Sequence, residues 1–471
     1  MTGVPVSSDA ESRRIRRQAR WSGRAREMPG VAEVVGMGML ARATLPGRPA
    51  ERRLHDVLTA ARWVQRAPGR RALAGAVRRT DVLGQGELLR SHRVGWERYA
   101  GADFDGRKRA LSATLVLKEP GSDGELGVLY SAFEYNWMRL LANYDVRSLL
   151  QEYLLVGATS WSPTDYLHLA NFAGLTEHPL FVGTSHPSDE TAYRVLAPLV
   201  RPLPLMASDW VHPAFYAPRP PAERDIDVLM VANFSRFKRH WLLFDALRDL
   251  PRNLRVVLVG QSGPGRTADV LRREAAAFGA PQDIEIVANA SMEQVTALQE
   301  AARVSLIFSR REGACVAVTE SLFAGSPVGM FRDAHIGSRA FVNERTGVLF
   351  GYDGLARQIA DFLERSAELD PRGWAVKHTG CEHASARLNA TLRAYSEEAG
   401  RPWTRDVASL CWRPRPIHYR VEDVVPTAAA RERLMREHGV EILAPPGGEW
   451  TVSAPFAASR GDGARSALTT A

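Results

Sequence analysis

The chain has 471 residues, of which 45% are hydrophobic and 24% are charged, and this length predicts two or three globular domains. No apolar stretch approaches the roughly 20 residues that a membrane-spanning helix needs. Three distant cysteines without a CxxC pair argue against a disulfide framework or a cysteine zinc site. The net charge of +8 is carried mostly by arginine, and this moderate excess suits small anionic ligands or an anionic membrane surface rather than nucleic acid.

The first 108 residues form an N-terminal extension rich in arginine, alanine and glycine. Its run SRRIRRQARWSGRAR (12–26) predicts a solvated, partly disordered basic arm, which we expect to make peripheral contact with a membrane. Apolar residues at helical spacing over 54–64 predict one amphipathic helix that ends before Pro68. Because no apolar segment follows the first charges, we expect no secretory signal and a cytoplasmic protein.

Residues 109–216 alternate short apolar runs with polar and helix-like stretches, a pattern typical of an α/β layer with a mainly parallel sheet. A proline-rich linker at 217–225 separates this layer from a second α/β series over 225–375. The run VVLVG in the second series is apolar throughout, as a strand covered on both faces should be. Helices over 376–414 are expected to return to the first domain, and 415–471 to form a partly disordered tail.

Two glutamates flank a small-residue turn directly after a predicted strand of the second series. Glu312 lies in the loop beyond the strand, and Glu320 lies eight positions later inside a short predicted helix, with the turn Gly313-Ala314-Cys315 between them. Ligands of doubly wound sheets bind beyond the carboxyl ends of the strands, and a helix N-terminus offers backbone N–H groups to a phosphate. On the two glutamates alone, solvated surface residues are the simpler interpretation.

The surrounding positions strengthen the functional interpretation. In order and in register, the chain has Ser309, Glu312, Gly313, Glu320, Ala324, Gly325, Pro327 and Val328. This arrangement resembles the E-x7-E signature of the glycosyltransferase group 1 family, the retaining GT-B enzymes. Lys238 in VLMVANFSRFKRH stands where that family has a phosphate-binding lysine, and RTGVLF (345–350) resembles a later family motif. The resemblance covers about Asp227 to Phe350.

The resemblance implies an α/β fold of the GT-B class, with two Rossmann-like doubly wound domains facing a cleft and, in this chain, an added N-terminal extension. It also implies a metal-independent, retaining hexosyltransferase that uses no cofactor and takes its sugar from a nucleotide-diphosphate donor. The sequence does not indicate whether the acceptor is a glycan, a lipid-linked molecule or a small molecule.

Carried over position by position, the resemblance implies a role for each matching residue. Glu312 would contact the donor sugar, Glu320 would bind the ribose hydroxyls, and Lys238 would stabilise the leaving diphosphate electrostatically. The backbone from Ala314 to Val316 would cap the distal phosphate, and the loop near Asn289 would face the base.

The chain also departs from the family pattern. Asn233 stands where the family usually has an arginine, so Arg236 and Arg239 are candidates to supply the missing charge. The first glutamate is followed by Gly-Ala-Cys instead of Gly-Phe-Gly, and Asn289 replaces a common glycine. The alternatives are therefore another GT-B chemistry, such as a nucleotide-sugar epimerase, or a catalytically degenerate module. Such a module would bind a nucleotide-sugar or glycan, or partner an active transferase, without turnover.

The family often has a histidine of the acceptor domain that reaches the donor sugar. His186, just beyond a predicted strand, is the best-placed candidate, ahead of His178 and His168, and the loop 117–127 is a candidate acceptor loop. Two Asp-x-Asp triplets begin at positions 103 and 225, and in the other major glycosyltransferase fold such a triplet holds a metal ion. We interpret both as chance occurrences, because the lysine makes a metal unnecessary.

Overall fold

The computed structural model describes residues 9–21, 29–64, 87, 109–162, 166–193, 196–445 and 448–451. These residues form two compact units. Unit 1 contains residues 9–21 and 211–380, and unit 2 contains the other described residues. The triplet that begins at position 103 and the end of the predicted tail, from residue 452, lie outside the described residues.

Among the described residues, three helices come first, and the first of them belongs to unit 1: α1 (Asp9–Trp21), α2 (Pro29–Ala43) and α3 (Ala50–Val64). Unit 2 continues with β1 (Thr114–Lys118), β2 (Gly127–Ala132), α4 (Glu134–Asn143), α5 (Val146–Glu152), β3 (Tyr153–Ala158), α6 (Tyr166–Ala170), β4 (Leu180–Gly183), α7 (Pro187–Tyr193) and β5 (Val200–Leu203). The five strands form one sheet in sequence order, in which β1 is antiparallel to β2 and the other pairs are parallel.

Unit 1 carries the second sheet. Its elements are β6 (Ile226–Val231), α8 (His240–Leu247), β7 (Val256–Gly260), α9 (Ala268–Phe278), β8 (Ile284–Ala288), α10 (Met292–Ala301), β9 (Ala302–Ile307), α11 (Val316–Phe323), β10 (Val328–Phe331), β11 (Gly347–Phe350), α12 (Leu355–Arg365) and α13 (Pro371–His378). The strand order is β11-β10-β9-β6-β7-β8, and every neighbouring pair is parallel. The carboxyl ends of all six strands therefore share one edge.

The chain then adds four more elements to unit 2: α14 (Cys381–Glu398), β12 (Cys411–Trp412), β13 (Pro416–Ile417) and α15 (Val424–His438). Single-turn 3-10 helices lie at Ala207–Trp210, Pro213–Phe215, Pro221–Glu223, Arg236–Lys238, Gly337–Phe341, Ser366–Glu368 and Val421–Asp423. The sheet of unit 2 is covered on both faces, since the consecutive residues Leu154 and Leu155 belong to two different hydrophobic cores. Leu388 of α14 packs in the core that contains Leu154, and Leu434 of α15 packs in the core that contains Leu155.

The predicted α/β class is confirmed, with two units that each hold a largely parallel sheet. The strand order reverses direction in the sheet of unit 1, as the predicted doubly wound arrangement requires, but not in the sheet of unit 2. Local signals explain much of this. Ser291 and Gln294 form the reciprocal capping box that starts α10. Gly279, with φ 77°, ends α9 in the left-handed conformation that glycine adopts at least cost. None of the helices in the described part of the chain is long and apolar enough to span a bilayer.

The basic arm differs from its prediction. Its first half forms α1 instead of a disordered segment, and this helix packs beside α9. Ala19 is buried, Arg20 forms an ion pair of 3.2 Å with Asp245, and the Arg20 guanidinium lies over the ring of Phe278. A charge-rich run folds here because one narrow face of the helix meets a partner surface, which composition alone does not reveal.

Candidate functional site

The loops that follow β6, β8 and β9 in unit 1 open on the shared carboxyl edge of the sheet. The first loop contains the 3-10 turn Arg236–Lys238, the second contains Asn289, and the third runs from Ser309 to Cys315. The opposite edge holds the triplet that begins at position 225. Both of its carboxylates pair with arginines there, including Asp227 with Arg303 at 2.7 Å. The edge at which ligands of doubly wound sheets bind is therefore the one that carries the predicted donor residues.

Lys238 and Glu312 form a direct ion pair at this edge. The Lys238 Nζ atom lies 2.6 Å from Glu312 Oε2, and the two side chains are only 12% and 9% exposed. Burial opposes the charge on Lys238, but the attraction of Glu312 outweighs it and raises the pKa of Lys238. The lysine is therefore cationic at neutral pH and held in one position.

The second carboxylate oxygen of Glu312 is unsatisfied. Glu312 Oε1 is buried and accepts no hydrogen bond from the residues that the structure describes. A buried acceptor without a donor is rare in native proteins, because the lost hydration is not replaced. A hydroxyl group of a bound ligand would satisfy this oxygen.

The turn after Glu312 leads directly into a helix N-terminus. Cys315 is the N-cap residue of α11, has φ 54° and ψ 75°, and makes no side-chain capping hydrogen bond. The first N–H groups of α11, from Val316 on, are thus left without the usual side-chain acceptor and carry the positive end of the helix dipole. The backbone of Gly313 and Ala314 is fixed by two hydrogen bonds, in which their carbonyls accept from the N–H groups of Gly337 and Ser338.

Burial also sets the chemistry of Cys315. It raises the pKa of the Cys315 thiol, and the nearby Glu312 carboxylate acts in the same direction. The thiol is therefore neutral and a poor nucleophile. Its backbone conformation, which favours glycine, stores strain beside the ion pair.

Glu320 and Asn289 are placed by neighbouring strands and helices. Glu320 lies on α11, and Gln299 Nε2 donates to its Oε2 at 3.5 Å. Asn289, with φ 56°, ends β8: its N–H donates to the carbonyl of Gly260, and its Oδ1 accepts from Ser262 N at 3.0 Å. The side-chain oxygen of Asn289 thus stabilises the loop, and the base-facing role of this loop stays a prediction.

The two candidate arginines differ in what they contact. Arg239 Nε donates to the carbonyl of Phe308, and its Nη1 donates to the hydroxyl of Tyr352 at 3.1 Å. Two of its nitrogens are thus engaged in structural contacts, while the buried Nη2 atom has no hydrogen-bond partner among the described residues. The terminal nitrogens of Arg236 lie 3.0 Å from the side-chain amide of Gln18, whose oxygen accepts from both when it faces them. Arg236 therefore stands at the rim of the site, beside α1.

The candidate histidines lie in unit 2. His186 directly precedes α7. Its ring Nδ1 shares a hydrogen bond of 2.8 Å with Ser188 Oγ, and its backbone N–H donates to the carboxylate of Asp189. Burial lowers the pKa of His178, whose Nδ1 lies 2.9 Å from the hydroxyl of Tyr395. His168 is 1% exposed. The catalytic role of His186 stays a prediction.

Several polar atoms around the loops of unit 1 are buried and unsatisfied, and sequence reasoning assigned a role to none of them. Ser309 Oγ, Thr319 Oγ1 and both ring nitrogens of His240 are buried and have no hydrogen-bond partner among the described residues. Burial, with the charges of Arg266 and Lys238, lowers the pKa of His240 to about 3. A neutral imidazole therefore lies under the loop that carries Lys238. The only sequence signal for it is its position two residues after that lysine.

The similarity to a known family covers this part of the chain. Residues 215–372 match the family model for glycosyl transferases group 1, which confirms the expected family over the stretch that holds Lys238, Glu312 and Glu320. The comparison with curated proteins found no match.

Three solved structures illustrate which proteins have a similar chain trace. A pneumococcal O-GlcNAc transferase, GtfA, in complex with UDP and GlcNAc is 17% identical over 55% of this chain and 55% of that one, with a TM-score of 0.40. Sucrose-phosphate synthase from Thermosynechococcus elongatus is 18% identical over 58% and 74%, with a TM-score of 0.44. Anabaena Alr3699/HepE in complex with UDP is 15% identical over 57% and 78%, with a TM-score of 0.46. The chain thus spans little more than half the length of the first of them.

Proposed function

We propose that the protein is a retaining, metal-independent glycosyltransferase that moves a hexose from a nucleotide-diphosphate sugar to an acceptor. The observation that carries this proposal is the state of Glu312, which holds Lys238 with one oxygen and leaves the other buried oxygen unsatisfied. Such a pair supplies a cation for a phosphate and an acceptor for a sugar hydroxyl within a few ångströms of each other.

The donor diphosphate would bind between Lys238 and the N-terminus of α11. A lysine cation and a helix N-terminus both favour a phosphate, and together they stabilise the negative charge that develops as the diphosphate leaves. The backbone N–H groups from Ala314 to Val316 would contact the distal phosphate. Because these groups supply the positive charge, the reaction would not need a metal ion to neutralise the leaving group.

The two glutamates would hold opposite ends of the donor. Glu312 would accept from a hydroxyl of the transferred sugar, Glu320 from the ribose, and the loop at Asn289 would lie against the base. With the acceptor attacking the face from which the diphosphate leaves, retention would need no protein base, and the protein would act by orientation and charge stabilisation. His186 would assist from unit 2.

A second candidate function is a degenerate module that binds a nucleotide-sugar without turnover. Asn233 in place of the usual arginine favours it, because the side chain at that position brings no positive charge to the diphosphate. The unsatisfied oxygen of Glu312 fits both functions, since a bound sugar hydroxyl would satisfy it with or without turnover, so the turnover assay decides between them.

The test is a donor screen followed by turnover. Nucleotide-diphosphate sugars with different bases and hexoses are compared by thermal shift, where a ligand at 100 times its Kd stabilises the fold by about 2.7 kcal/mol. The best donor is then assayed for transfer and for slow hydrolysis to water, with Lys238→Ala as the matched control. Binding with neither reaction would support the degenerate module, and no binding of any donor would contradict both proposals. The cytoplasmic location stays a prediction.

A further inference from the structure

Helix α1 lies on unit 1 with one face inward. Ser12, Ile15 and Ala19 follow each other at helical spacing on that face, and Ala19 is buried. The ion pair of Arg20 with Asp245 and the approach of Gln18 to Arg236 fix the helix at its C-terminal end. The helix is therefore a docked element of this unit.

The opposite face of α1 is basic and exposed. Arg13, Arg14 and Arg17 are all exposed. Arg17 follows Arg13 by four residues and Arg14 by three, so the three side chains lie on one side of the helix. Trp21 follows on the same side, seven residues after Arg14, and is 66% exposed. Three guanidinium groups and an indole thus share one surface that spans about 12 Å along the helix axis.

We propose that this outward face binds an anionic lipid surface while α1 stays docked on unit 1. Arginines beside an anionic bilayer gain from its negative surface potential, and the gain adds up over a cluster. An indole at the end of the cluster suits the boundary between headgroups and acyl chains, where tryptophan is enriched. The proposal goes beyond the sugar transfer and does not depend on it.

A lipid surface fits this face better than a nucleic acid does. The apolar side of α1 is turned inward, so the outward side is a flat row of cations with one large aromatic side chain at its end. Such a row matches a plane of headgroups into which one indole can dip.

The test is co-sedimentation of the full chain with vesicles. Phosphatidylcholine vesicles are compared with vesicles that contain about 30% phosphatidylglycerol, at about 0.1 M and about 1 M salt. We expect binding to the anionic vesicles at the lower salt, and its loss at high salt or without the anionic lipid. Changing Arg13, Arg14 and Arg17 together to Gln should weaken binding at least about tenfold, and Trp21→Ala severalfold.

A matched variant controls for net charge. Arg252, Arg357 and Arg365 are exposed arginines elsewhere on unit 1, and changing them to Gln removes the same three charges. This control should keep most of the vesicle binding, and both triple variants should keep the wild-type circular dichroism spectrum and Tm. Equal losses in the two variants would overturn the proposal, because binding would then follow overall charge. Tighter binding to a short single-stranded RNA than to the vesicles, lost in the α1 variant, would identify a nucleic acid surface instead.

Discussion

The Nζ atom of Lys238 lies 2.6 Å from Oε2 of Glu312, although 74 positions separate the two residues in the sequence. The pair joins the loop after β6 to the loop after β9 and neutralises two buried charges that would each be costly alone. A bound diphosphate would have to compete with Glu312 for the lysine. On the proposed function, the same contact would therefore affect stability, nucleotide affinity and catalysis.

Removing the lysine should affect both activity and stability. We expect Lys238→Ala to lower sugar transfer by roughly a hundredfold or more, because a charged contact in a closed site contributes about 2–3 kcal/mol. The sequence alone suggests that folding is little affected. The ion pair indicates instead that the free energy of unfolding falls by about 1–3 kcal/mol, since Glu312 is left buried and unpaired.

A double variant separates these two effects of the lysine. Lys238→Ala combined with Glu312→Gln removes both charges of the pair, so much of the lost stability should return in urea unfolding while transfer stays low. Wild-type turnover by purified Lys238→Ala would show that the diphosphate binds elsewhere.

The sequence predicts the sheet of unit 1 well but not the contacts at its edge. The run VVLVG forms the buried strand β7, and the capping box at Ser291 starts α10, because both signals act over a few residues. The family resemblance of two separate stretches places Glu312 and Lys238 in loops at one sheet edge. It could not show that these two side chains pair, because loop conformation and side-chain direction decide a contact over such a separation. Helix α1 was missed for a related reason, since its partner surface is formed by distant residues.

Metal removal should leave the protein active. We expect donor binding and transfer to be unchanged after dialysis against a chelator, because Lys238 and the N-terminus of α11 supply positive charge to the diphosphate. The measurement is initial transfer rate with and without added magnesium or manganese, at fixed ionic strength. A strict requirement for either ion would contradict the proposed phosphate site.

Cys315 occupies a backbone conformation that favours glycine. With φ 54°, its Cβ is strained, and Cys315→Gly should raise the free energy of unfolding by about 0.5–1 kcal/mol. Cys315→Ala keeps the Cβ atom and serves as the control, which should gain little. The thiol should also react slowly with iodoacetamide in the native protein, because burial raises its pKa. Fast labelling at neutral pH, or equal stability of the two variants, would contradict this account.

His240 should make the protein sensitive to mild acid. Its native pKa is lowered from 6.5 to about 3, so the native state binds this proton more weakly than the unfolded chain does. His240 therefore does not lower the free energy of unfolding above about pH 6.5. Below that pH the unfolded chain takes up the proton and the native state does not, so the free energy of unfolding falls until about pH 3. Between pH 6.5 and 5 the loss should be roughly 2 kcal/mol.

The matched variant for this pH effect is His240→Gln, whose side chain is neutral at every pH. Its free energy of unfolding should fall less over the same pH interval than that of the wild type, in urea titrations at each pH. Other buried histidines titrate in both proteins, so only the difference between the two slopes reports on His240. Parallel slopes would show that His240 is not the group responsible.

The two glutamates should have different kinetic effects, because they are assigned to opposite ends of the donor. Glu320 would bind ribose hydroxyls that are the same in substrate and product. Glu320→Gln should therefore raise the KM for the donor and weaken the affinity for free nucleoside diphosphate, as the loss of uniform binding does. Glu312 would bind the transferred sugar, so Glu312→Gln should lower kcat.

The ion pair sharpens the prediction for Glu312. In the free protein Glu312 competes with the diphosphate for Lys238, so Glu312→Gln should leave nucleoside diphosphate affinity unchanged or make it tighter, even as kcat falls. Calorimetric titration of the diphosphate and donor kinetics for each variant distinguish the outcomes. Equal weakening of diphosphate binding by both changes would show that the assignment of the two ends is wrong. A lower kcat with tighter diphosphate binding in Glu312→Gln alone would support a pair that opens when the donor binds.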